Sequence, residues 1–173
     1  MSNKPVEPSE PDPFAPEEFA AWRGLLRLHE WVMRELDARL RAEHGLSVAD
    51  YGVLITLVSA PGRRLRMGDL ALQRNLTPSG ITRNVERLER NELIARETDP
   101  SDGRAYQAVL TSKGLIRLRQ AQVTHHRVVR QRFVERLAAK DLQTFAELLE
   151  RAVPGVTSAH IWPPDEHPAE IRT

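Results

Sequence analysis

A helix start at residues 77 and 78 sets the layout of the middle of the chain. Thr77 can cap a helix through its hydroxyl, and Pro78 suits the first helical position because its φ is fixed near the helical value. Asn75 tolerates the left-handed backbone that a tight turn between helices requires. A short helical pattern, from Met67 to Gln73, precedes this turn. The sequence therefore predicts two helices, the first of them short, joined by a tight turn.

The residues after Asn91 have a different character. Residues 93–97 and 105–110 are short, partly alternating and rich enough in β-branched and aromatic side chains to be strands. The segment between them, residues 98–104, is dense in turn-forming residues. We therefore expect a β-hairpin directly after the capped helix.

Two helices are predicted before this region. Residues 19–44 carry apolar side chains at alternating steps of four and three, which is typical of one buried helix face. Ser47 and Asp50 then form a carboxylate variant of the capping box at the start of a second helix. A Pro-Gly pair at residues 61 and 62 ends that second helix.

Two more helices are predicted after the hairpin. Thr111 can cap a long fifth helix, whose apolar period continues to Leu137, and a sixth helix spans about residues 140–153. The expected fold class is mainly α, with six helices and a two-stranded β-wing. This is the layout of a winged helix-turn-helix.

The charge of the chain is unevenly distributed. The formal net charge is only +1, but residues 1–18 and the last residues of the chain hold eight of the 24 acidic residues and two of the 25 basic ones. The body between them has 23 basic against 16 acidic residues, which suits a polyanionic partner. Residues 1–16 contain five prolines and are predicted to be a disordered acidic tail, and residues 155–173 a C-terminal tail.

Composition excludes several classes of protein. The chain has no cysteine, so disulfides, thiolate metal sites and cysteine redox sensors are excluded. It has no apolar run long enough for a membrane helix and no signal-peptide pattern at its start, so we expect a cytoplasmic protein. It also lacks a glycine-rich phosphate loop, a serine nucleophile elbow and a useful His/Asp pair, which argues against an enzyme.

The predicted helix pair and hairpin favour double-stranded DNA as the partner. A capped helix presents free N–H groups and a positive dipole end to phosphate, and an α-helix fits the major groove of B-DNA. A turn-rich hairpin that carries an arginine can reach the backbone or the neighbouring minor groove.

The ordered set of motifs resembles the MarR family of bacterial transcription regulators over roughly residues 19–154. The motifs are Asp69-Leu70-Ala71, Leu76-Thr77-Pro78-Ser79, Ile81-Thr82-Arg83, Arg87-Leu88-Glu89, Leu93-Ile94, the run from Asp99 to Arg104, and Leu110-Thr111 followed by Gly114. The resemblance implies a homodimer with a helical dimerisation region in residues 17–46 and 112–154. It implies a winged helix-turn-helix DNA-binding domain in residues 47–111.

The sequence departs from the family pattern at four positions. Gly80 stands in the recognition helix where a side chain is usual, and Gly103 replaces the frequent first arginine of the wing tip. Arg66 and Ala138 stand where a capping serine or threonine is usual. These departures affect DNA sequence specificity and helix capping; the predicted fold is unchanged.

Candidate DNA-binding residues follow from the recognition helix and from the resemblance. An ordinary solvated helix face is the alternative for the helix residues, and a plain turn is the alternative for the wing pair. In the resembled family the wing aspartate braces the hairpin and the arginine enters the minor groove. The predicted contacts are Thr77, Ser79, Thr82, Arg83, Asn84, Arg87, Asp102 and Arg104.

The resemblance also implies a pocket for small anionic aromatic molecules between the first, second and fifth helices. We hypothesise that an aromatic carboxylate or a phenol binds there, with His29 as a polar lining group; a hydrogen-bonded core or interface histidine is the alternative for His29. The candidate lining is Trp22, His29, Met33, Tyr51 and His126. Adjacent side chains on a helix point about 100° apart, so His125 and His126 are not expected to share a metal ion, and no cofactor is predicted.

These observations predict a sequence-specific repressor that reads a pseudo-palindromic operator and is released by a small-molecule effector. The alternative is a winged-helix module that docks a protein partner and has no ligand response. Effector-dependent release from DNA distinguishes the two.

Overall fold

The computed structural model describes residues 14–99 and 102–157, and in them it has six α-helices and three β-strands. The elements are α1 (Pro16–His44), α2 (Val48–Ser59), β1 (Arg64–Arg66), α3 (Met67–Gln73), α4 (Pro78–Arg90), β2 (Ile94–Asp99), β3 (Asp102–Leu110), α5 (Ser112–Arg132) and α6 (Ala139–Ala152). Short 3-10 helices cover Pro61–Arg63 and Val134–Arg136. The mainly α fold class with six helices and a β-wing is confirmed. The predicted tails lie mostly outside the described residues.

The chain divides into two compact units, Met1–Trp31 and Val32–Thr173. The described part of the first unit is almost entirely the N-terminal part of α1, and its large apolar side chains, such as Phe19 and Leu26, are exposed. The second unit holds the main hydrophobic core. Leucines and isoleucines of α2, α3, α4, β2 and α5 are buried together there, including Leu54, Leu70, Ile81, Leu88, Ile94 and Leu118.

The wing has one strand more than the sequence predicted. The sheet is antiparallel in the order β1-β3-β2, with Leu65 of β1 opposite Ala108 of β3. β1 has only three residues, Arg64, Leu65 and Arg66, and is too short for its alternation to predict a strand from the sequence. Its pairing with β3 defines it, and that contact joins residues more than 40 positions apart.

The predicted helix starts are confirmed by their caps. Ser47 and Asp50 form a reciprocal capping box, and Thr77 and Thr111 accept the backbone N–H three residues later. Asn75 has φ of 50°, the left-handed conformation expected for the turn between α3 and α4. The N-cap residues of α3 and α6, Arg66 and Ala138, make no capping side-chain hydrogen bond.

The fifth helix is shorter than its apolar period suggested. α5 ends at Arg132, and Phe133, with φ −130° and ψ −63°, leaves the helical conformation. The Phe133 ring packs edge-on against Phe145 of α6, with 5.7 Å between ring centroids. Leu137 therefore lies outside α5, because packing between helices overrides the local period there.

Gly114 gives a first test of the packing around the wing. A Cβ at this position would overlap the carbonyl oxygen of Leu93 and press on the Leu110 side chain. We expect Gly114→Ala to lower the free energy of unfolding by about 2 kcal/mol or more, since backbone cannot move aside cheaply. Gly68→Ala in α3 is the matched control, because a Cβ there meets open space. It should be neutral or stabilising by about 0.5–1 kcal/mol, and equal urea-unfolding midpoints for the two variants would contradict the packing argument.

Candidate nucleic-acid interface

The start of α4 is a capped and exposed helix end. The Thr77 hydroxyl oxygen accepts the Gly80 backbone N–H at 3.2 Å and lies 3.2 Å from the Ser79 hydroxyl. Thr77, Pro78 and Ser79 are all exposed. A Cβ at Gly80 would come within 3.1 Å of the Thr77 hydroxyl, so the glycine lets the cap close without strain. The remaining N–H groups of this turn and the positive dipole end can receive a phosphate.

The buried face of α4 fixes which side chains point away from the core. Ile81, Val85 and Leu88 are buried against the other helices of the second unit. Arg83 is exposed, and among the described residues its side chain has no hydrogen-bond or ion-pair partner. Thr82 is half-buried, and its hydroxyl donates to the Pro78 carbonyl at 2.8 Å. Among the described residues, Arg83 is therefore the cation near the cap that a ligand can contact without breaking an existing interaction.

Arg87 holds α4 to α2. Its Nε donates to both carboxylate oxygens of Asp50 at 3.1 Å, and its Nη2 donates to Ser47 Oγ at 3.4 Å and to Asn84 Oδ1 at 3.2 Å. Asp50 is only 2% exposed and belongs to the α2 capping box, whereas the Arg87 side chain is 41% exposed. DNA contact by Arg87 and Asn84 stays a prediction. The sequence analysis did not predict the ion pair between Asp50 and Arg87, because the two residues are 37 positions apart.

Asp37 connects the C-terminal part of α1 to the same cap. Its Oδ1 accepts the Val48 backbone N–H at 2.9 Å, and its other oxygen binds Arg41. The Arg41 hydrogen bond, together with the Val48 N–H, holds the pKa of Asp37 below its usual value, against the opposing effect of partial burial. α1, α2 and α4 are therefore joined by one polar network that passes through the α2 cap.

A buried aspartate at the end of β2, next to the hairpin turn, holds the wing. Asp99 is 3% exposed and accepts a hydrogen bond from Gln107 Nε2 at 2.9 Å and another from Arg66 Nε. The Asp99 hydrogen bond raises the pKa of Arg66 above its usual value. Arg66 directly precedes α3, so the contact joins the wing to the helix-turn-helix. No local pattern indicated this role of Asp99, because the residue resembles the other turn formers around it.

The predicted wing pair lies at the tip of the hairpin. Asp102 is exposed at the start of β3, and Arg104 is in the same strand; the Arg104 side chain is outside what the structure describes. The DNA contacts of both residues stay predictions. The helix cap and the hairpin tip are thus the two parts of this surface that carry predicted DNA-binding side chains.

The predicted pocket residues differ in their surroundings. In the second unit Tyr51 is buried, whereas Met33 and His126 are exposed. Trp22 and His29 are exposed in the first unit. Their predicted role in a pocket remains untested.

The ring that stacks on Tyr51 is His125, with 4.9 Å between centroids and 13° between ring planes. Burial raises the pKa of Tyr51, and burial together with neighbouring His126 lowers the pKa of His125 to about 4. The His125 Nδ1 is buried without a hydrogen-bond partner. His125 is thus a candidate pocket residue, which the sequence analysis considered only as a metal ligand.

The half-buried His125 predicts a loss of stability in mild acid, because its surroundings favour the neutral ring. Its pKa is about 6.5 when unfolded and about 4 when folded, so the unfolded chain takes up the proton first as the pH falls. The stabilisation is complete above pH 6.5 and is lost progressively down to pH 4, by about 2 kcal/mol after allowance for partial solvent exposure.

Urea unfolding of the parent and of His125→Gln across this pH range is the measurement. The parent should lose stability more steeply than the variant, whereas parallel profiles would show that His125 does not titrate in this way. His44, whose pKa is also lowered by burial, is present in both proteins and cancels in the comparison.

Among residues 14–99 and 102–157, histidine, aspartate and glutamate form no group of three that could hold a metal ion. In the same residues no helix is both long and apolar enough to cross a membrane.

Known proteins share this arrangement of helices and wing. The MarR family model matches residues 44–105, from the end of α1 to the wing. AbsC, a MarR family transcriptional regulator from Streptomyces coelicolor, is 32% identical and superposes with a TM-score of 0.73 over 84% of this chain and 95% of AbsC. A second MarR family regulator from the same organism, solved in complex with DNA, is 33% identical, with a TM-score of 0.76 over 85% of this chain and 92% of its own.

The protein belongs to the MarR family. An HTH-type transcriptional repressor from Mycobacterium tuberculosis is 29% identical over 127 residues, which cover 73% of this chain and 88% of the repressor. The MarR-family protein described here is therefore a transcriptional regulator with a winged helix-turn-helix, and its relatives are regulators, not enzymes.

Proposed function

We propose that this MarR-family protein is a homodimeric repressor that binds a pseudo-palindromic operator and leaves it when a small aromatic effector binds. The observation that carries the proposal is Arg83 beside the capped start of α4, which is exposed and has no partner among the residues that the structure describes. A relative solved in complex with DNA and a relative named as a repressor support the DNA target and the direction of regulation.

Recognition of the DNA base sequence is assigned to the first two turns of α4. Side chains there can reach base edges when the helix enters the major groove, and the Thr77 cap leaves N–H groups for the adjacent phosphate. Arg83 offers a bidentate donor that suits guanine, and the exposed Ser79 is short enough to sit near the backbone. The wing tip with Asp102 and Arg104 is assigned to the flanking groove or backbone.

Uncovered apolar side chains support assembly as a homodimer. Within the second unit α6 has no buried residue, and Leu148 and Val153 are about half exposed at 50% and 57%. In the first unit Phe19 and Trp22 are similarly exposed. Apolar surface of this extent is unusual for a monomer, and a second copy related by two-fold symmetry would cover it.

The effector is proposed to bind near Tyr51 and His125. The buried Tyr51 ring and the buried Nδ1 of His125, which has no hydrogen-bond partner among the described residues, suit an aromatic carboxylate or a phenol. Such a ligand acts only if it binds the DNA-competent and DNA-incompetent states with different affinity. The network from Asp37 through Val48 to Asp50 and Arg87 gives a direct route from α1 and α2 to the recognition helix.

The proposal is tested with an operator selected from random DNA by the purified protein. A symmetric operator should be recovered, with half-site centres about one helical turn apart, 10–10.5 base pairs. Inserting five base pairs between the half-sites should weaken binding by about a hundredfold or more, because the second recognition helix then faces the wrong side of the duplex. The same five base pairs inserted outside the half-sites, which leave their spacing unchanged, are the control.

Effector release is measured on the same operator with a panel of aromatic carboxylates and phenols. At least one compound should reduce DNA affinity at saturating concentration, and His125→Gln should shift the concentration required. Compounds that bind the protein while DNA affinity stays constant would contradict regulated release and favour a module that docks a protein partner. Unchanged binding after the half-turn insertion would contradict the dimeric mode of DNA binding.

A further inference from the structure

A separate cavity of about 310 Å³ lies where the C-terminal ends of α1 and α4 approach the N-terminal part of α5. Its polar and charged lining comprises His44, Arg90, Asn91, Lys113 and Arg117. Arg90 is the last residue of α4, about 20 Å along the helix from the Thr77 cap at 1.5 Å per residue. The cavity is thus at the opposite end of α4 from the Thr77 cap, and its lining includes none of the predicted DNA-binding or effector residues.

The lining of this cavity is strongly cationic. Three of its residues carry a permanent positive charge, and none of its lining residues is an aspartate or a glutamate. Glu92 lies nearby and neutralises only one of the three cations, because it forms an ion pair with Lys113. The burial that lowers the pKa of His44 favours its neutral ring, whose Nε2 is 2.8 Å from the Thr124 hydroxyl.

Two arginines supply the charge that remains. Arg117 donates from Nη1 to the His44 carbonyl at 2.9 Å, which fixes the guanidinium at the wall of the cavity and leaves its other N–H groups free for a ligand. Arg90 is exposed, and among residues 14–99 and 102–157 its side chain has no hydrogen-bond or ion-pair partner. A concave surface with two guanidinium groups is a site for an oxyanion, since each group can donate two parallel hydrogen bonds.

We propose that this cavity binds a small multivalent oxyanion, a phosphorylated or polycarboxylate metabolite, between Arg90 and Arg117. The volume of about 310 Å³ is at the lower end of ligand-pocket sizes, which suits a compact molecule. The Asn91 side chain at the same wall adds an uncharged donor and acceptor. The proposal is independent of the proposed operator and aromatic effector, because it uses none of their residues.

Calorimetric titration of the full chain at constant ionic strength tests the proposal, with inorganic pyrophosphate and citrate as probes. At least one probe should bind with one site per chain, and the stronger probe decides between phosphate and carboxylate chemistry. Arg90→Gln should weaken binding about tenfold or more, the effect of losing a charge-assisted hydrogen-bonding group. Arg130→Gln removes the same charge from an exposed ion pair elsewhere on α5 and should leave binding within about twofold.

Three results would overturn the proposal. The first is the absence of saturable binding of either probe, and the second is equal weakening by Arg90→Gln and Arg130→Gln, which shows a diffuse charge effect. The third is an Arg90→Gln protein that keeps its anion affinity but loses DNA affinity, which assigns Arg90 to the DNA backbone. Arg90 has no partner to lose, so the variant should keep the parent's thermal midpoint and remain interpretable.

Discussion

Replacing Arg87 with methionine is expected to lower the free energy of unfolding by about 3 kcal/mol, although the residue lies on the helix assigned to the DNA. The substitution leaves the carboxylate of Asp50 buried without its cation, and breaking a buried ion pair in this way typically costs about 3–5 kcal/mol. The loss is expected at the lower end of this range for two reasons. The Arg87 side chain is 41% exposed, and Ser47 still donates to the Asp50 carboxylate through its hydroxyl and its backbone N–H. Urea unfolding gives the value.

Two companion variants make the result specific to the ion pair. Arg90→Met, on the same helix but without a partner, should change stability by less than about 0.5 kcal/mol. The double variant Asp50→Asn, Arg87→Met should lose less unfolding free energy than the sum of the two single variants. The double variant has neither charge, so no buried charge is left without its partner. Strict additivity would show that the two side chains are not coupled, contrary to the geometry.

The second large effect is expected on DNA binding. Arg83→Ala should weaken operator binding by roughly 5- to 150-fold, equivalent to about 1–3 kcal/mol, and should change binding to random DNA little, as loss of a base contact does. Arg104→Ala should weaken binding to all sequences more evenly and flatten the salt dependence by about one unit, as loss of a phosphate or minor-groove contact does.

Fluorescence anisotropy at several salt concentrations separates the two patterns. Arg130→Ala, which removes an equal charge from an exposed ion pair, is the control and should bind both DNAs like the parent. The assignment of α4 and the wing as the DNA-binding surface is rejected if both arginine variants bind the operator with the parent's affinity at matched salt.

Local signals in the sequence predicted most of the fold. The caps at Ser47, Thr77 and Thr111 and the left-handed Asn75 act over three or four residues, so their partners are visible in the sequence itself. β1 and the early end of α5 were not predicted, because both depend on contacts that a local pattern does not contain. For β1 the partner is β3, and for the end of α5 it is the packing of Phe133 on Phe145.

The candidate site was predicted less completely, for the same physical reason. The sequence identified the polar face of α4, and the structure separates that face into an unpartnered Arg83 and an Arg87 committed to Asp50. Nothing local distinguishes the two arginines, since the difference lies in a carboxylate 37 positions from Arg87. Asp99 was likewise interpreted as one turn former among several, because its partner Arg66 is 33 positions away.

The Asp99–Arg66 contact has a consequence for the thermodynamics of DNA binding. A free hairpin loses conformational entropy when a duplex immobilises it, and that loss subtracts from the affinity gained by its contacts. Here the end of β2 next to the turn is already fixed, through Asp99, to Arg66, which directly precedes the helix-turn-helix. Little freedom remains to be lost below the tip, so the contacts of the wing can appear almost in full in the affinity for DNA.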